Sequence, residues 1–120
     1  MMSEQRPAIK GIVKSNTQTL ERFQNEVLRP ILKQQHNLLI QNFTVYLEKR
    51  KIDFENLSLE KKEKHIDSIL SKDIAFKNMQ VGIIVGRFTL EEFAHFTENS
   101  NEYSRRILQM LKKRLKDTLL

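Results

Sequence analysis

Residues 81–92 constrain the fold of this chain most, because they end one helix and begin the next. They hold the longest uninterrupted run of apolar residues and glycine, 81–86, and two of the three glycines, Gly82 and Gly86. Thr89 and Glu92 follow at the spacing of a capping box, in which the two residues satisfy each other's backbone N–H groups. One helix is therefore predicted to end near Gly86 and another to begin after Thr89.

Helical periodicity extends through the chain from residue 17, with apolar residues recurring at steps of three and four. The first apolar face is predicted to consist of Leu20, Phe23, Val27 or Leu28, and Ile31. Pro30 either starts a new helix or kinks a long one, and we favour a new helix that runs to about Arg50. Further helices are predicted at 59–70, 72–86, 89–97 and 100–119. The first of these is expected to bury Ile66, Ile69 and Leu70, and the second Ile74, Phe76, Met79 and Ile83. The predicted N-terminal caps are Ser58, Ser71, Thr89 with Glu92, and Asn99 with Glu102.

These patterns predict an all-α fold, a single compact bundle of about six helical segments. Strand-like alternation does not persist over more than a few residues, and 120 residues suit one domain. Residues 1–16 are polar and contain Pro7 and Gly11, so we interpret them as a flexible N-terminal arm before a helical domain at 17–120.

Composition excludes several classes of function. The absence of cysteine excludes disulfides, thiolate metal sites and a cysteine nucleophile. No apolar run approaches the ~18 residues that would span a bilayer, and no signal peptide is visible. We therefore expect a cytoplasmic protein without a membrane span.

Glu92 and His95 form an E-x-x-H pair, a spacing used by di-metal helical bundles, but such sites need a second copy that this chain lacks. On a helical projection the pair lies opposite Leu90, Phe93 and Phe96, so it is expected on the surface. His36 lies on an apolar helix face and is interpreted as a buried neutral histidine bonded to a backbone carbonyl, a functional role being the alternative.

No catalytic residue, metal site or cofactor is predicted, and the protein is more consistent with a non-enzyme. Gly82 and Gly86 lack the Lys-Ser/Thr that follows the glycines of a phosphate-binding loop. At helical spacing they favour close packing of two helices, inside the fold or across a dimer.

The predicted last helix carries a basic stripe that consists of Arg105, Arg106, Lys112, Lys113 and Lys116. Such a stripe can follow phosphates or lie on an anionic membrane, and it can equally be a solvated face. Arg114 is the exception, since it projects into the middle of the apolar arc and requires a carboxylate, an exposed site or a partner.

The function predicted from these features is a non-catalytic protein-interaction or self-association module. It could form a homodimer through Gly82 and Gly86 or through the last helix. The alternative is a small nucleic-acid-binding protein that uses the basic stripe. The sequence specifies no small-molecule ligand.

Three segments, 28–33, 56–62 and 82–92, together resemble a family of short, all-helical, uncharacterised bacterial proteins. The resemblance covers most of the chain from residue 20, and it implies neither a ligand nor a site residue. Some members carry a glyoxalase label, but glyoxalases are β-rich enzymes with His and Glu ligands or histidine-rich hydrolases. This chain has three histidines and no strand pattern, so we expect no glyoxalase activity.

Overall fold

The structure, a computed structural model, describes residues 16–120, with side chains from residue 18 onward. These residues form seven α-helices: α1 (Asn16–Phe23), α2 (Arg29–Gln34), α3 (His36–Lys49), α4 (Leu59–Lys72), α5 (Ile74–Val85), α6 (Leu90–Thr97) and α7 (Ser100–Leu119). A π-helical turn, Gln24–Leu28, joins α1 to α2, and a 3-10 turn, Phe54–Asn56, precedes α4. The segments α1, the π turn and α2 follow each other without a gap and count as one, which leaves six helical segments. The predicted all-α bundle of about six helical segments is therefore confirmed. The predicted arm lies outside the described residues, except for Asn16.

Pro30 lies in the first turn of α2, yet the chain does not start a new helix there. The backbone is already helical at Leu28 and Arg29, and the Arg29 N–H bonds to the carbonyl of Gln24 in the wide spacing of a π turn. Proline has no N–H and its ring clashes with the carbonyl four residues earlier. The wide turn directly before Pro30 accommodates the ring without a break. The interruption comes instead at Gln35, so the helix predicted from Pro30 to about Arg50 is divided into α2 and α3.

The core is built around α7, which buries Tyr103, Ile107, Leu111 and Leu115 against the other helices. Helix α4 contributes Ile66, Ile69 and Leu70, the three residues that its periodicity predicts. The segment from α1 through α2 adds its predicted apolar face, whose buried members are Leu20, Phe23, Val27, Leu28 and Ile31.

Helices α3 and α5 pack antiparallel, as three polar contacts show. The Tyr46 hydroxyl donates to Asp73 at 2.7 Å, the Gln80 amide donates to the Leu39 carbonyl at 3.2 Å, and the Gln35 amide donates to the Ile83 carbonyl at 3.5 Å. Asp73 also caps α5 by accepting the Phe76 N–H. The prediction of Ser71 as this cap is wrong, because α4 continues helically to Lys72 and the backbone becomes extended only at Asp73.

Helices α5 and α6 bury different faces from those predicted. In α5, Phe76, Gln80 and Ile84 are buried, whereas Ile74 is 65% exposed and Met79 is 58% exposed. In α6, Phe96 is buried as expected, but Leu90 is 90% exposed and Phe93 is 45% exposed. Side-chain hydrogen bonds to neighbouring helices, described below for His95, fix these orientations against the apolar pattern.

Within residues 16–120, no helix combines the length and the apolar content needed to cross a membrane.

Candidate functional site

Glu92 and His95 are not a surface pair, so that prediction is wrong. Glu92 is only 5% exposed, and its carboxylate accepts the Thr89 N–H at 2.9 Å while Thr89 accepts the Glu92 N–H at 3.0 Å. The His95 Nε2 atom lies 2.8 Å from the hydroxyl of Tyr103 on α7, and the imidazole packs 5.0 Å from the ring of Phe23. His95 therefore attaches α6 to α7 and α1, and Glu92 closes the capping box at the start of α6.

His36 is half-buried. It was predicted to bond to a backbone carbonyl, but its contact in the structure is with Arg114. The Nη1 atom of Arg114 lies 3.0 Å from Nδ1 of His36. Because guanidinium only donates, Nδ1 must be the acceptor, which places the N–H of a neutral imidazole on Nε2. A carboxylate was one of the three alternatives for Arg114, and the structure places an imidazole from α3 beside the guanidinium instead.

The basic stripe of α7 is divided between two sides of the helix. Lys112 donates to the Ser71 hydroxyl at 2.7 Å, and Lys116 forms an ion pair with Asp67 at 3.0 Å, so both reach α4. Arg106 turns the other way and donates to Gln24 of the π turn at 2.9 Å. All five of these cations have acidic or polar partners in the same fold, and the stripe is not one continuous exposed surface.

The acidic residue Glu102 accounts for much of this pairing. It accepts hydrogen bonds from Arg105 at 3.2 Å and from Arg106 at 3.0 Å. These two guanidinium groups hold the pKa of the Glu102 carboxyl below its ordinary value. The predicted capping box at Asn99 and Glu102 is therefore wrong: Asn99 precedes α7 without a side-chain cap, and Glu102 points to the arginines instead. The caps predicted at Ser58 and at Thr89 with Glu92 are present.

A cleft with a volume of about 560 Å³ separates the π turn and α2 from α7, and we call it the α2–α7 cleft. Its apolar floor includes Leu32 and Met110. Its charged lining consists of Arg29, Lys33, Arg106, Lys113, Arg114 and Asp117, which is five cations against one carboxylate. Sequence analysis singled out Arg106 and Lys113 but missed Arg29 and Lys33. Their four-residue spacing on one helix face was the available signal.

Gly82 and Gly86 belong to a solvent-facing surface of α5, which we call the α5 face. Its exposed members are Ile74, Ala75, Asn78, Met79, Gly82 and Gly86. A Cβ atom added to Gly82 would meet nothing within 4 Å, so no other helix of the fold approaches this position. The prediction that the glycines serve close packing inside the fold is therefore wrong for Gly82, and contact with a second molecule is the version that stays open.

Within residues 16–120, no group of three or more His, Asp or Glu side chains is placed to hold a metal ion. The chain matches no protein-family model, and neither a curated protein nor a solved structure matches it significantly.

Proposed function

We propose that this protein is a self-association module in which the α5 face of one copy packs against the same face of a second copy. The observation that supports it is the composition of α5. Of its twelve residues only Lys77 is charged, and yet a full face of the helix is open to solvent. A helix that is apolar on all sides is normally buried on all sides, so we expect a binding partner to cover the exposed face of α5.

The shape of the α5 face suits another helix. Gly82 and Gly86 are one turn apart and lack side chains, which lets a second backbone come close. Ile74 and Met79 continue the face towards the N-terminus of α5 with large exposed apolar side chains. In a two-fold dimer each face meets its own copy, and a face without charge does so without like-charge repulsion.

The expected dimer is weak. Stable interfaces bury roughly 800 Å² per partner, and one face of a twelve-residue helix supplies less than that. We expect a monomer–dimer equilibrium with a dissociation constant on the order of micromolar or higher.

Sedimentation velocity over a range of micromolar concentrations tests the proposal. Met79→Glu places a charge in the centre of the contact and is expected to leave a monomer at every concentration, because burying an unpaired charge is costly. Leu90→Glu is the matched control, since it makes the same kind of change at an apolar side chain of α6 that is 90% exposed.

A monomeric wild-type protein throughout this range would contradict the proposal. Loss of the dimer in Leu90→Glu but not in Met79→Glu would place the interface on α6 and would also contradict it.

Nucleic-acid binding is the second candidate, and it is favoured by the position of Arg106 and Lys113, which both line the α2–α7 cleft. Anisotropy of labelled single-stranded and duplex oligonucleotides, at low and at near-physiological salt, measures it. Charge reversal in Lys112→Glu/Lys113→Glu is expected to weaken binding strongly and to leave self-association unchanged. Flat titrations at low salt would eliminate this candidate.

A further inference from the structure

The α2–α7 cleft holds more positive charge than its own carboxylates neutralise. Two of its five cations have acidic partners: Arg106 pairs with Glu102 at 3.0 Å, and Lys113 pairs with Asp117 at 3.1 Å. For Arg29, Lys33 and Arg114, no carboxylate lies within 4.0 Å among the side chains that the structure describes. Three like charges that share one cleft repel each other, so an anion bound between them gains free energy.

The guanidinium groups are held in place by neutral acceptors, which leaves their charge available. Arg114 donates to the imidazole of His36 at 3.0 Å, and Arg29 donates to the side-chain carbonyl of Asn25 at 2.8 Å. Each of these contacts uses one of the five N–H donors of a guanidinium. Planar guanidinium groups with free donors bind phosphate through paired hydrogen bonds.

The backbone beside the cleft is also unusual. The π turn contributes Gln24 to the lining, and Arg29 follows its last residue directly. Single π turns within α-helices occur frequently at functional sites. Here the turn sets the position at which Arg29 and Lys33 face α7.

We propose that the α2–α7 cleft binds a small polyphosphate ligand, of the size of a nucleoside triphosphate, through Arg29, Lys33 and Arg114. Its volume of about 560 Å³ falls within the usual range for small-molecule sites. The apolar floor at Leu32 and Met110 offers contact for a non-phosphate portion of the ligand. The site is separate from the α5 face and does not depend on self-association.

A small ligand fits this geometry better than a nucleic-acid strand. A strand needs a continuous basic path, but Lys112 and Lys116 are turned away towards α4, where they contact Ser71 and Asp67. The cleft instead brings Arg29, Lys33 and Arg114 together at one place, and the ion pairs among the described residues include none of them. Nucleic acid is therefore the alternative that the experiment must separate.

Isothermal titration calorimetry with inorganic tripolyphosphate and with adenosine triphosphate, each at low and at near-physiological salt, tests the proposal. Binding of both probes is expected, with lower affinity at the higher salt because of screening. Arg29→Gln/Lys33→Gln is expected to weaken binding roughly tenfold or more, since hydrogen bonds to charged groups are the strong ones. Both residues are exposed, so the variant keeps the fold.

The control is Arg105→Gln/Lys112→Gln, which also neutralises one arginine and one lysine, but at positions that do not line the cleft. Its affinity is expected to change by less than about twofold, as for screened surface charges. Equal losses in the two variants would mean a diffuse electrostatic effect and would overturn the proposal, as would absence of heat with both probes at low salt. Tighter binding of an oligonucleotide than of triphosphate through the same residues would replace it with the nucleic-acid alternative.

Proton NMR gives a direct readout of position. Because Arg114 donates to His36, a phosphate that engages Arg114 is expected to move the ring resonances of His36. The ring resonances of His65, which lies on α4 and outside the cleft, are expected not to shift. Equal shifts of both histidines, or none at His36, would contradict binding at this site.

Discussion

Lys51 is the one described non-glycine residue with a positive φ, at 55°. It follows the end of α3, where the Ile52 N–H bonds to the Leu47 carbonyl at 3.0 Å and the Lys51 N–H bonds to the Glu48 carbonyl at 3.1 Å. This pair of bonds is the Schellman motif, whose left-handed position glycine normally occupies. A lysine there carries a Cβ penalty of roughly 1 kcal/mol.

Lys51→Gly is therefore expected to raise the free energy of unfolding by up to about 1 kcal/mol, despite the entropy that glycine adds to the unfolded chain. Urea denaturation measures the change. Lys49→Gly, two residues earlier and still inside α3, is the control, and it is expected to lower stability by about 0.5–1 kcal/mol. A loss of stability in Lys51→Gly comparable to that in Lys49→Gly would contradict the strain at Lys51.

Asp73 links the C-terminal end of α3 to the first turn of α5 through one carboxylate. Hydrogen bonds from the Tyr46 hydroxyl and from the Phe76 backbone N–H, followed by the charge of Arg50, hold the pKa of Asp73 below its ordinary value. A group whose pKa is depressed in the folded state stabilises the fold above its unfolded pKa, which is near 3.8 here, and this contribution is lost as pH falls through the folded pKa.

The difference in unfolding free energy between wild type and Asp73→Asn is therefore expected to be constant near neutral pH and to shrink below about pH 4. Denaturation curves at a series of pH values measure it. Tyr46→Phe removes the strongest single cause, so the acid dependence of that variant should be smaller than that of wild type. Identical pH profiles for wild type and Asp73→Asn would contradict the role of Asp73.

At the scale of the helix, one substitution in α5 is expected to change the stability of the monomer and that of the dimer in opposite directions. Gly82→Ala adds a methyl group that meets nothing within 4 Å, and alanine is the better helix former, so the monomer is expected to gain about 0.5–1 kcal/mol. The same methyl group obstructs a second helix packed on the α5 face, so self-association is expected to weaken. Denaturation at high dilution and sedimentation at high concentration measure the two effects.

Ala75→Gly is the matched control on the same face, because it removes a methyl group away from the glycine pair and is expected to destabilise the monomer by a similar amount. Stronger self-association in Gly82→Ala would show that the second molecule does not pack over Gly82.

The faces of the helices were predictable where apolar and polar residues segregate. Helix α4 has charged residues on one side and Ile66, Ile69 and Leu70 on the other, and these three are buried. Helix α5 has apolar residues on every side, so its sequence does not specify which face turns inwards. The choice depends on partners from distant helices, such as the Leu39 carbonyl that accepts from Gln80.

At the scale of the whole molecule, the described helices form one bundle around a single apolar core, to which α7 contributes Tyr103, Ile107, Leu111 and Leu115. The all-α class follows from periodicity and caps. The α2–α7 cleft could not be predicted, because Arg29 and Lys33 meet Arg114 only after four intervening helices, α3 to α6, have packed.

Helix α6 is a locally frustrated element of the folding landscape. Its own pattern favours burial of Leu90 and Phe93, and the folded chain leaves both exposed in exchange for the capping box at Glu92 and the contact of His95 with Tyr103. The packing that competes with the native one rotates α6 so that Leu90 and Phe93 turn inwards. The native orientation is held by the contact of His95 with Tyr103 and by the burial of Phe96, so two side chains of α6 decide between the packings.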